Sequence, residues 1–210
     1  MKKNISHLSF FQKNKEYINS YKKNALMQLM DSKKIESKKT RIILMDCIQT
    51  LSDYFQKVVM LRNVFNDDPS YTSITQEHLK EEFFHNVSLM KDRKNRPALW
   101  DPILEATSAW FAWKMFTLNN AEKTVLVHFV LESSGNLFFQ KAYKIMRKYE
   151  KTNYFKIHSE ADEEHEKMGE ELLNNVSKEN FPRLLKVLQQ GWDVMNAACN
   201  RIAELTNQIQ

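Results

Sequence analysis

His158-Ser-Glu-Ala-Asp162-Glu-Glu-His165 reads H-x3-D-x2-H inside a stretch of helical pattern. A helix turns about 100° per residue. Asp162 therefore falls roughly 40° to one side of His158 and His165 roughly 20° to the other. Imidazole and carboxylate on one narrow stripe suit divalent iron, manganese or zinc. A solvated acidic face explains the same letters, because Glu160, Glu163, Glu164 and Glu166 share the stretch. One stripe cannot close a metal site, so the choice rests on what lies upstream.

On an earlier helix stands His78-Leu-Lys-Glu81-Glu82-Phe-Phe-His85. Glu82-x2-His85 puts a carboxylate and an imidazole one turn apart. Glu81 is nearly as well placed, and His78 shares the face seven residues before His85. Phe83 and Phe84 predict that this turn is partly buried, where a carboxylate needs a partner. Further on, Glu132 is the lone acid between Glu122 and Glu150, in an otherwise apolar helix. A buried carboxylate there calls for a metal or for a lysine or arginine from another helix. His128, one turn earlier, is a ligand, an outer partner or a core histidine. Gly135 in mid-helix costs about 1 kcal/mol against alanine and predicts a close backbone approach. The resulting inventory is Glu82, His85, Glu132, His158, Asp162 and His165, with His78, Glu81 and His128 as substitutes or outer-shell groups. Three carboxylates and three histidines on three helices suit two bridged iron ions, with manganese as an alternative.

The rest of the chain agrees with an all-α fold. Its 210 residues include only three glycines and four prolines. That scarcity argues for long helices with few turns. Apolar periodicity predicts helices over 5–31, 36–66, 73–92, 102–116, 121–149, 154–174 and from Ser177 to about 209. Ser73-Ile-Thr-Gln76 resembles a capping box, and Asp101-Pro102 reads as a cap followed by proline at the first helical position. We therefore expect one domain over 1–210, a single bundle of about seven helices. Metal-binding core helices span 75–170, and the basic stretch 1–40 forms a peripheral arm. Net charge is +5, a mild preference for anionic ligands. No motif supports nucleic-acid binding. No run is long enough to span a membrane, the basic N-terminus lacks the apolar core of a signal peptide, and two cysteines make no disulfide framework. These point to a cytoplasmic chain.

The order Glu82-x2-His85, Glu132, His158-x3-Asp162-x2-His165 resembles the haem-oxygenase-like di-metal oxidases and oxygenases. In that family one helix supplies Glu and His, a second a Glu, and a third H-x3-D-x2-H. The likeness covers about residues 75–170, and the third motif is its specific part. It implies a haem-oxygenase-like bundle that activates dioxygen at a non-haem di-iron centre. Family members decarboxylate fatty acids, oxidise amino-acid nitrogen, cleave amino-acid chains or build an aromatic amine. Some place the first Glu seven residues before the His, where this chain has His78. The expected partners are dioxygen, a small-molecule substrate, an electron donor and a second copy of the chain. The substrate would be a small amphiphilic acid, fatty-acid-like or amino-acid-like, in a pocket near Phe83, Phe129, Gly135 and Phe139.

Four rivals stand beside this reading. A metal-independent thiaminase-type hydrolase of the same fold would use Cys47 or Cys199. A ferritin-like di-iron bundle leaves His158 idle and lacks a first Glu. Haem oxygenase itself would need His7 as proximal ligand. A non-enzymatic helical interaction protein leaves Glu132 unexplained.

Overall fold

The computed structural model describes residues 7–160, 163–173 and 176–208, with side chains for 8–160, 168–173 and 176–208. Among them no strand occurs. The helices are α1 (His7–Tyr21), α2 (Ala25–Asp31), α3 (Lys38–Val64), α4 (Thr72–Glu82), α5 (His85–Asp92), α6 (Pro102–Thr117), α7 (Asn120–Thr124), α8 (Ser133–Met146), α9 (Asn153–Glu160), α10 (Glu163–Leu173) and α11 (Phe181–Asn207). A π-helical segment, Val125–Glu132, joins α7 to α8 as one continuous rod.

Among the described residues, with α7, the π segment and α8 counted as one rod, the bundle has about nine helices rather than about seven, and two of the expected rods divide within described sequence. The first breaks at Lys22–Asn24, where the Asn24 side chain accepts from the Met27 amide and starts α2. Asparagine prefers this capping role to a helix interior. The second breaks at Phe84, whose φ is 67°. A bulky residue with positive φ is strained. Gln56 on α3 holds the break, accepting from the Phe84 amide at 2.7 Å. The capping box expected at Ser73 does not form: Thr72 already begins α4, and Tyr71 precedes it without a side-chain cap.

The 27-residue α3 is the axis of the fold, packed by α4, α5, α6 and α11. The basic N-terminal stretch is not a peripheral arm over its described length. Phe10, Tyr21, Leu26 and Met30 are buried in the main core, and Trp192 of α11 donates to Asn14 of α1 at 3.0 Å. Apolar side chains placed at helical intervals outweigh the lysines between them, whose charged heads reach water.

Asp101 caps α6 as its position before Pro102 predicts. Its carboxylate accepts from the amides of Ile103 and Leu104. It also accepts from Arg201 of α11 at 2.7 Å. That arginine, aided by the amides, holds the carboxyl below the usual aspartate range. A depressed carboxylate stabilises the fold fully above its unfolded pKa, near ~4. That contribution disappears as pH falls through the lower folded value. Asp101→Ala is expected to cost about 1 kcal/mol at neutral pH. In urea titrations from pH 7 downward, the gap from wild type should narrow in acid. A constant gap would mean that the cap charge contributes nothing.

Candidate metal centre

Two groups of potential ligand atoms meet where α4, α5, α9 and the π segment converge. One comprises His78, Glu82 and Glu132, the other Glu82, His85 and His158. Within each group the atoms lie within 4.8 Å of one another, and Glu82 belongs to both. His78 Nε2 is 2.7 Å from Glu132 Oε1, and His85 Nδ1 is 2.9 Å from Glu82 Oε2. The second pair flanks the break at Phe84. Glu82 ends α4 and His85 begins α5, so the pair spans a kink instead of one helical turn.

The kink overturns the argument from Phe83 and Phe84. Both rings are exposed and tilted against each other with centroids 4.1 Å apart, while Glu82 is buried. Phe83 is not among the residues that line the cavity beside these groups. Glu81 is exposed and stands outside both groups, so the geometry brings in Glu82. His78, held as a substitute at the sequence level, joins the first group directly. Asp162 lies outside the described residues. His165 lies on α10, with its side chain also outside them.

The π segment places Glu132. Its wider turn leaves carbonyls out of α-helical register, and the Ser133 hydroxyl donates to the carbonyl of His128, five residues back. Such segments recur at functional sites. Among the described residues His78 is a partner of Glu132. A cation stands behind them. Arg62 of α3 is fully buried and lies 2.8 Å from His128 Nε2. The guanidinium can only donate, so that nitrogen accepts. The His128 and His78 rings are 5.3 Å apart. Burial pushes the Arg62 pKa down to about 10, opposed chiefly by the Glu132 charge. It therefore stays charged at neutral pH. Sequence reading missed Arg62; an arginine within Val58-Val-Met-Leu-Arg62 was the available signal.

His158 is oriented by aromatic neighbours. Its ring stacks on Phe139 at 4.8 Å and meets Tyr154 at 4.3 Å. These residues, with Glu132, Gly135, Tyr54 and Tyr21, line a cavity of about 110 Å³ that reaches Cys199 and Met195. Gly135 and Phe139 line it. Phe129 does not, since it sits in the core against Phe10 and Phe11. His128 is likewise a core histidine. Among the described lining residues there is no lysine or arginine. Ser133, Ser134 and Asn136 offer neutral hydrogen bonds there instead.

The close approach expected at Gly135 occurs elsewhere. A Cβ on Gly135 would meet only Phe139, at 3.9 Å. A Cβ on Gly169 of α10 would stand 2.6 Å from the Cβ of His128.

The described helices form an all-helical bundle of haem-oxygenase-like fold. The chain belongs to the family of the Uncharacterized protein RP592 of Rickettsia prowazekii (strain Madrid E). The two are 35% identical over 193 residues, covering 92% of each. No family model matches the sequence. The fold is similar to that of a domain of unknown function with a heme oxygenase-like fold from Shewanella denitrificans OS217. That match has a TM-score of 0.71 and 17% identity, over 95% of this chain and 93% of the other. It is also similar to a TenA homolog from Pseudomonas syringae pv. tomato, with a TM-score of 0.67 and 12% identity over 93% of each. No helix among the described residues is long and apolar enough to cross a membrane.

Proposed function

We propose that the protein is a metal-dependent oxidase or oxygenase holding two first-row ions, iron or manganese, around Glu82. The observation that carries this reading is the sharing of Glu82 by two donor groups. One carboxylate reaching toward two sets of nitrogen and oxygen donors suits a bridged pair of ions. No cysteine joins the set, which disfavours soft-metal chemistry. His78 and Glu132 would hold one ion, and His85 and His158 the other. Asp162 and His165 follow His158 at helical spacing and would complete the shells. When bound, iron supplies the electrons for dioxygen chemistry.

The protein's own contribution is placement. Phe139 and Tyr154 fix the His158 ring, and the π segment aims Glu132 at His78. The adjoining cavity would receive the organic body. At about 110 Å³ it suits a short chain or a single ring; an apolar cavity of about 150 Å³ accepts benzene. An amino-acid-like or short-chain acid therefore fits better than a long fatty acid. Its carboxylate would lie at the metal end, since the cavity walls offer only neutral donors.

A second reading, a cysteine-dependent hydrolase of the thiaminase type, is favoured by the TenA neighbour and by Cys199 on the cavity wall. Its chemistry fits the thiol poorly. Burial pushes both Cys199 and Cys47 up to about 12, whereas a nucleophilic cysteine needs a lowered pKa. Screening amino acids and short acids for oxygen uptake by ferrous-loaded protein separates the two. The metal reading expects substrate-triggered uptake that chelators abolish and Cys199→Ser spares. Turnover without oxygen uptake, surviving chelators and lost in Cys199→Ser, would overturn it.

A further inference from the structure

The helix α6 is apolar on both sides. Leu104, Phe111 and Met115 are buried, on a helix packed against α3 and α11. The other side carries Ile103, Ala106, Trp110, Trp113 and Thr117, at alternating spacings of three and four. That spacing makes one straight stripe. A helix apolar all round is normally covered all round. Here Ile103 is 47% exposed, Trp113 62% and Phe116 48%. The patch continues onto Phe65 at the end of α3, whose ring lies 4.8 Å from that of Phe116.

We propose that this stripe is a homodimer interface, with α6 packed antiparallel on α6 of a second copy. Size is the first argument. A large apolar side chain carries ~150–250 Å², so the exposed fractions of these residues come to on the order of 400 Å². A standard interface buries ~800 Å² per partner, of which somewhat over half is apolar. The patch matches that apolar share. Shape is the second argument. A two-fold axis crossing the helix between Ala109 and Trp110 sets residue 106 of one copy level with residue 113 of the other. Each Trp113 then lies over the hollow at the second copy's Ala106, and Ile103 comes level with Phe116. Every large side chain on the stripe thus finds a small or complementary one by symmetry, as an isologous contact requires. Lys114, whose ammonium lies 5.1 Å over the Trp110 ring, falls at the edge of the stripe and supplies a polar rim.

Sedimentation velocity across low to tens of micromolar protein tests the interface. The wild-type chain should sediment at twice its 25.0 kDa mass. Trp113→Glu and Ala106→Arg should each weaken self-association at least tenfold and leave the far-ultraviolet circular dichroism unchanged. A monomeric wild type throughout that range would overturn the proposal, and so would a dimer that both variants keep. Register is read separately, whether or not those variants fold. Chains carrying Ala106→Cys mixed with chains carrying Trp113→Cys should form a disulfide-linked heterodimer on mild oxidation. Absence of that link, with both chains folded, would exclude the antiparallel pairing.

Discussion

Glu82→Ala is expected to abolish binding of both metal ions, whereas His78→Ala and His85→Ala should each remove one. The asymmetry follows from position. Glu82 is the residue common to the two donor groups, and it is buried, so no water-exposed carboxylate replaces it readily. Each histidine serves one group only. Loss of an outer partner of a metal ligand typically costs 10–100-fold in affinity, and loss of a shared ligand should cost at least ~100-fold. After anaerobic loading with ferrous iron and desalting, metal analysis should find about two ions per wild-type chain. The two histidine variants should hold about one each, and Glu82→Ala almost none. Folding does not explain such a pattern, since circular dichroism can show all four proteins helical. Equal retention in Glu82→Ala and wild type would remove the shared-ligand argument. So would equal losses in all three variants, because each group would then fail to act as a unit.

The sequence carried the bundle for a physical reason, and it singled out Glu82, His85, Glu132 and His158, which the fold brings near one another. Helical periodicity and the cost of a buried carboxylate are local properties, legible at Glu132 and along His158-x3-Asp162-x2-His165. What it hid depends on three-dimensional departures from ideal helices. The left-handed turn at Phe84 is stabilised by Gln56, 28 residues earlier, so neither residue announces the kink alone. The kink leaves Phe83 exposed, and His78 meets Glu132 through the packing of α4 against the π segment, which spacing along one helix does not announce. Arg62 was equally silent, because a lone arginine in an apolar run also fits a side chain reaching water. Only the fold shows it buried against His128.

Gly169→Ala and Gly135→Ala should shift stability in opposite directions, although both exchange glycine for alanine within helices. The backbone term alone favours alanine by up to about 1 kcal/mol at either site. At Gly135 nothing opposes it, since the added methyl meets only the Phe139 ring at ordinary contact distance. At Gly169 the methyl would stand 2.6 Å from the Cβ of His128 and 3.1 Å from the Phe129 ring. The first of these atoms is fixed to the backbone of the π segment and cannot swing away. Overpacking of this kind costs about 1–3 kcal/mol, enough to cancel the helix gain and leave a net loss. Relief requires α10 to move off the π segment, and α10 also carries His165, one turn before Gly169. Gly169→Ala should therefore lower the melting temperature by about 2–4 °C for each kcal/mol of net loss. It should also weaken metal binding about tenfold. Gly135→Ala should melt at or above wild type. Thermal melts of the metal-free proteins, followed by metal titration, read the two effects separately. A stabilised Gly169→Ala with wild-type metal affinity would show that α10 tolerates displacement and that its distance from the π segment does not set the site.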